Sequence, residues 1–350
     1  MIERNPWDSR KRACDSMFDA IGNTPLVRLN KIPAEVNADI YCKIEWFSPT
    51  GSLKDRIYYN MITEAVSRGD LKPGMTILEC STGNAGTACA WVATLLGYDC
   101  IITMPVGMSD ERKKLMRAYG AELVFTPGGE SDVDLALEKA FEIKAEDPDR
   151  YWIPNQFDNN DNVMAHYITT GPEIWEQTEG KIEALVGTQG SGGGITGIAK
   201  HLREQNSSVQ LWAVEPEECP MLSARKWGSH GIEGIGDGLV PRNLHLEHVT
   251  GIVTTHTDEA VEMARRLARE EGIFCGISSG SNVAAALKLA RKHPELGYIV
   301  CMTNDTGQRY FSTALCGEEK EVEIPDRDHP LDDYTVEQLD KFQAGWEVIT

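Results

Sequence analysis

The 350-residue chain is long enough for two ordinary domains, and 41% of its residues are hydrophobic, enough to give each a core. Its formal charge of −20 argues against nucleic acid or an anionic membrane surface as partner, since both call for a basic patch against phosphate. Nine scattered cysteines without a C-x-x-C pair read as free thiols in a reducing compartment, not as disulfides or a metal site.

In chain order, Met1–Trp7 lacks the apolar segment of a secretory leader, and no apolar run reaches the ~20 residues that span a bilayer. A cytoplasmic location is expected. After the amphipathic stretch Ile57–Val66, short apolar runs alternate with helical patterns. Met75–Cys80 is a predicted strand, Thr87–Leu96 a helix, Asp99–Met104 a strand, Asp110–Tyr119 a charged helix and Glu122–Phe125 a strand. The rhythm returns with strands at Ala184–Gly187 and Gln210–Val214 around a helix at Thr196–Glu204. Then come the strand Gly251–Thr254, the helices Asp258–Glu271 and Asn282–His293, and the strand Tyr298–Met302. Such alternation predicts an α/β protein, with two mainly parallel sheets and a ligand in the cleft at the carboxyl ends of their strands. From about Cys316 the chain turns acidic, and this tail is expected to be peripheral, packed on a neighbouring subunit.

Three loops carry the chemistry. Lys54 ends the small-residue loop Ser48–Leu53 and heads the first amphipathic stretch, where an amine can form a Schiff base. Ser81-Thr82-Gly83-Asn84-Ala85-Gly86 joins a strand to a helix, so a carboxylate bound there meets N–H groups, hydroxyls and the helix dipole; the bland reading is a helix cap. Gly190-Ser191-Gly192-Gly193-Gly194-Ile195-Thr196-Gly197 places five glycines in eight positions before a helix, a cradle for phosphate with Ser191 and Thr196 as further donors. The same run satisfies G-x-G-x-x-G, with Glu215 where a ribose-binding acid would stand, so a dinucleotide is the competing ligand. That ligand leaves Lys54 and Ser81–Gly86 without a purpose, whereas pyridoxal 5′-phosphate (PLP) uses all three loops.

These segments, together with Ile21–Leu26, Asn155-Gln156-Phe157, Thr170–Trp175, Glu233-Gly234-Ile235-Gly236 and Gly276-Ile277-Ser278-Ser279-Gly280, resemble the cysteine synthase and cystathionine β-synthase family of fold-type II PLP enzymes over about residues 18–315. The resemblance implies two three-layer α/β/α domains: residues 1–24 and 48–158, with about 100–144 mobile, and residues 25–47 and 159–320, leaving an acidic tail at 321–350. It implies that Lys54 binds PLP and moves the substrate Cα proton. Gly190, Ser191, Gly192, Gly193 and Gly194 would hold the phosphate, Asn84 the 3′-oxygen and Ser278 the pyridine nitrogen. Ser81, Thr82, Gly83, Asn84, Ala85, Gln156 and Gly234 would meet the amino acid substrate. The neutral hydroxyl of Ser278 leaves the ring a modest electron sink, which favours prompt loss of a β-leaving group. To act as the base Lys54 must be a neutral amine, so its pKa should lie well below the ordinary value of about 10.4.

The implied reaction is replacement of the β-substituent of O-acetylserine, O-phosphoserine or serine by sulfide or a thiol through an aminoacrylate. Cystathionine β-synthase or another β-substituted alanine synthase or cysteine lyase is the alternative, and dehydratase-type elimination a further one. A homodimer is expected, with no metal. Haem is not expected, because Cys14 has no neighbouring histidine before His166, and regulation by a nucleotide-binding module after residue 320 is not expected either. Ala85 and Gly194 each stand where the family usually has threonine, at a cost of about 1 kcal/mol per lost donor. Asp237 either receives the amino end of a long thiol or faces water. Arg225-Lys226 either greets a phosphorylated serine or is solvated.

Overall fold

Strands and helices alternate along the chain, and the computed structural model describes them over residues 13–129, 132–236, 238–317 and 330–350. Asp237 lies outside the described residues, as do the first twelve residues and most of the acidic segment after Gly317. Strands β1 (Leu26–Arg28) and β2 (Asp39–Ile44) precede helix α1 (Lys54–Arg68). Then follow β3 (Thr76–Cys80), α2 (Asn84–Leu96), β4 (Asp99–Pro105), α3 (Asp110–Ala118), β5 (Glu122–Thr126), α4 (Val133–Glu146) and β6 (Tyr151–Trp152). Helices α5 (Asn160–Ile168) and α6 (Thr170–Gln177) lead into β7 (Ala184–Thr188), α7 (Gly193–Gln205), β8 (Gln210–Pro216) and α8 (Met221–Ala224). The chain closes with β9 (Gly251–Thr255), α9 (Thr257–Arg266), α10 (Ile277–Lys292), β10 (Tyr298–Thr303), α11 (Asp333–Phe342) and β11 (Glu347–Ile349).

The strands form two sheets, in the orders β5-β4-β3-β6 and β1-β2-β10-β7-β8-β9-β11. All their pairings are parallel except β1 with β2. Strands covered by helices on both faces bury every residue, as β3 does, which is why they read as unbroken apolar runs. Alternate side chains then feed opposite layers. Leu185, Leu211 and Ala213 pack with α7 residues Ile198 and Leu202. Their neighbours Val186, Trp212 and Val214 pack with α10 residues Val283 and Leu287. In the smaller sheet Ile77, Ile102 and Met104 meet α1 and α2 through Met61 and Ala88. Leu78 faces Ala140 of α4.

The C-terminal segment is not peripheral. Strand β11 extends the larger sheet, with Val348 opposite Ile252 of β9, and Leu339 of α11 is fully buried. Arg225 ties this segment down, reaching Asp340 Oδ1 and Gln343 Oε1 at 2.6 Å each, so it neither floats in solvent nor faces a substrate. A three-residue strand is too short to leave a period in the sequence. Among the described residues no helix is long and apolar enough to cross a membrane, and none of the nine cysteines forms a disulfide.

Candidate active site

The carboxyl ends of β3, β7 and β10 converge on one cavity of about 850 Å³, open in part to solvent. Lys54 enters it as the first residue of α1. The approach to that helix is fixed from the other sheet, since Leu53 N–H donates to Asn304 O at 2.9 Å. Just downstream, buried Asp55 accepts from Thr50 N–H at 2.7 Å and from the Thr50 hydroxyl. Burial pushes its carboxyl up to about 6, against those two hydrogen bonds. Lys54 Nζ ends 3.2 Å from Gln156 Oε1 and 3.4 Å from Ser191 Oγ. Gln156 is itself oriented by donating to Cys80 O at 3.2 Å, so its oxygen faces the lysine.

One wall is the loop between β3 and α2. Thr82, Asn84 and Ala85 line the cavity with Ser81, but Ser81 Oγ accepts from Gly83 N–H at 3.0 Å and Gly86 N–H at 2.7 Å. That hydroxyl shapes its own loop. Gly83 does not line the cavity; a Cβ there would collide with the Arg112 side chain, so its hydrogen atom is what allows Arg112 to pack beneath the loop. The Asn84 amide is gripped at both ends: Nδ2 donates to Asp305 Oδ2 at 2.6 Å, and Oδ1 accepts from Arg309.

The opposite wall is the glycine loop. Gly190, Ser191, Gly192 and Gly194 line the cavity, while Gly193 does not; a Cβ at Gly193 would strike Asn162. Helix α7 is entered through Gly192, with φ of 78° and no capping side chain. A side chain at Gly192 would meet Leu244 N at 2.6 Å, so glycine is required both by sterics and by the left-handed backbone. The uncapped N–H groups of this first turn are free for an anion. Thr196 is occupied elsewhere, its Oγ1 accepting from His245 N–H at 3.1 Å. Ser278 lines the floor and accepts from Asn304 Nδ2 at 3.1 Å; no side chain caps α10, so it is not a helix cap. Gly234 completes the rim.

Glu215, the acid that a dinucleotide would require, is buried at the start of α8. It accepts from Leu222 N–H at 2.7 Å and Ser223 N–H at 2.9 Å, and burial pushes it up to about 7. It does not reach the cavity, and the dinucleotide alternative loses its second anchor.

Two features escape the sequence. Arg112 of α3, fully buried, crosses to the larger sheet's loops, with Nη1 2.6 Å from Glu233 Oε2 and Nη2 2.5 Å from the Tyr310 hydroxyl. Tyr310 in turn donates to Asp305 Oδ2 at 2.8 Å. His166 of α5 lines the cavity beside the glycine loop. No pattern marks either residue: Arg112 sits in a run of charges that reads as a solvated face, and His166 is one histidine on a half-polar helix.

The model of the family described as pyridoxal-phosphate dependent enzyme matches residues 17–305. The chain belongs to that family. The residues present fit the cofactor: an amine at Lys54, an uncapped helix N-terminus at a glycine loop, and a neutral hydroxyl at Ser278. Along the chain, a cysteine synthase of Staphylococcus aureus is 42% identical over 306 residues, 87% of this chain and 98% of the relative. In three dimensions, the cysteine synthase of Entamoeba histolytica superposes with a TM-score of 0.83 at 37% identity, covering 96% of this chain and 97% of that one. An O-ureido-L-serine synthase gives 0.82 at 39% identity, covering 87% and 95%. Within the family this is a cysteine synthase-like, fold-type II enzyme of β-replacement acting on small molecules.

Proposed function

We propose that the chain replaces the β-substituent of an activated L-serine with sulfide or a thiol, using Lys54 both to hold the cofactor and to move the Cα proton. The observation that carries this reading is the placement of Lys54 Nζ against Gln156 and Ser191, between a carboxylate-sized loop and a phosphate-sized one. When bound, PLP supplies the electron sink that acidifies the substrate Cα–H. Lys54, as the neutral amine, takes that proton. Thr82, Ala85, Gln156 and the backbone at Asn84 orient the substrate carboxylate, with Ser81 and Gly83 shaping their loop, and the Asn84 side chain, held by Asp305 and Arg309, stands toward the cofactor's 3′-oxygen. Gly190, Ser191, Gly192 and Gly194 receive the phosphate, with Gly193 opening the turn. Ser278, a neutral donor, meets the ring nitrogen, and Gly234 borders the entering nucleophile.

The domain limits named from the sequence are proposed with this reading; β1 and β2 joining the larger sheet supports them. Residues 100–144 are the part proposed to move, carrying Arg112 with them. A cytoplasmic homodimer is proposed likewise. The test is an absorbance scan of the purified enzyme, followed by O-acetylserine, O-phosphoserine and serine in separate cuvettes. Lys54→Ala should abolish the visible band of lysine-bound cofactor, and one donor should perturb the wild-type band far more than the others. A wild-type protein that stays colourless after PLP is supplied overturns the proposal.

A further inference from the structure

Residue 194 is a glycine at the point where the phosphate loop enters α7, and a neighbouring side chain is aimed at the same spot. His166 is fully buried, yet among the described residues no hydrogen-bond partner reaches its Nε2. Such an atom costs stability unless something pairs with it. The other nitrogen is engaged, Nδ1 lying 2.8 Å from Thr170 Oγ1. A Cβ built on Gly194 would stand 3.6 Å from His166 Nε2, an ordinary contact. Nothing steric demands glycine there, and both residues line the cavity.

We propose that His166 Nε2–H donates the hydrogen bond to the cofactor phosphate that a hydroxyl side chain at position 194 would otherwise supply. This rests on the PLP reading of the cavity and adds a ligand from outside the glycine loop. The assignment also requires one tautomer. Burial holds the ring neutral, with a pKa of about 3, so one nitrogen carries the proton. With the Thr170 hydroxyl donating to Nδ1, that proton is on Nε2 and points at the anion; the opposite tautomer would turn a lone pair on it. Thr170 is therefore a positioning residue.

The test strips the enzyme of cofactor and follows recapture of PLP and, separately, of pyridoxal, which lacks the phosphate. His166→Met should raise the PLP concentration for half-capture roughly tenfold to a hundredfold, the usual worth of a hydrogen bond to a charged group, and leave pyridoxal capture unchanged. Adding Gly194→Ser to that variant should recover most of the loss. The phosphorus-31 shift of bound PLP should move in His166→Met as well. Unchanged PLP capture, or equal losses for PLP and pyridoxal, overturns the proposal, the second outcome marking a merely structural histidine. If His166→Met does not fold, Thr170→Val replaces it: PLP capture should weaken while pyridoxal capture holds, and either of the two contrary outcomes again overturns the proposal. A wild-type protein that captures neither compound overturns the PLP reading itself, not the assignment within it.

Discussion

At the scale of single residues the site works through side chains that are held by others. Lys54 meets Gln156, Gln156 is turned by Cys80 O, and Asn84 is clamped between Asp305 and Arg309. Gly83 shows how little slack remains. Arg112 is fixed by Glu233 and Tyr310, so a methyl at position 83 must displace the loop instead of the arginine. Gly83→Ala should raise the KM for the amino acid donor by about tenfold or more through overpacking, while leaving the visible band in place. Steady-state kinetics beside an absorbance scan check this; an unchanged KM would remove the loop from substrate binding. The positions that made the site readable, Lys54, the polar run after Cys80 and the glycine run, are local in sequence. Arg112, Asp305, Arg309 and His166 are not, because their roles depend on which distant loop they meet.

At the scale of elements, several motif residues turn out to serve the scaffold. Arg56 of α1 binds Glu45 at 2.8 Å and Glu173 of α6 at 2.7 Å; Lys43 of β2 binds Glu173 at 2.7 Å. The turn at Asn23 and Thr24 donates to the same glutamate. This buried cluster joins α1 to the larger sheet behind the lysine. Burial alone would raise the Glu173 pKa, but Arg56 and Lys43 outweigh it and hold the carboxylate at about 2. A pKa depressed on folding contributes stability above the unfolded value of about 4.3, which is lost as pH falls toward the folded one. Glu173→Gln should therefore cost about 3 kcal/mol near neutrality, because it takes from buried Lys43 its bonded carboxylate and leaves buried Arg56 with Glu45 alone. The gap to wild type should narrow as pH drops below about 4.3. Urea midpoints at pH 7 and pH 3.5 check both; a gap independent of pH would show that the glutamate's charge is not what matters. The strand and helix alternation was legible because covered strands are uniformly apolar. Helix starts were less so: α2, α7 and α10 begin three to five residues earlier than the apolar pattern, inside the loops that carry the site.

At the scale of the whole molecule, two sheets share one cavity, and β11 lies at the far edge of the larger sheet. The pairing of β11 with β9 covers an edge that would otherwise present bare N–H and C=O groups. A chain ending at Gly317 loses α11 and β11 and leaves that edge open. It should unfold at lower temperature and aggregate on concentration, which thermal melts and light scattering would reveal; a truncated protein equal to the full chain would make the segment dispensable. The likeness to a cysteine synthase along nearly its full length agrees with this architecture.

The central claim is β-replacement at the Lys54 site, and it is tested most directly by a product balance. The holoenzyme is given O-acetylserine, O-phosphoserine or serine with and without sulfide, and pyruvate, ammonia and amino acid products are quantified. With sulfide, cysteine should form in step with donor consumed, pyruvate should be a minor product, and Lys54→Ala should form neither. Pyruvate and ammonia in equal amounts, unaffected by sulfide or by thiols offered in its place, would contradict β-replacement and make the enzyme an eliminase.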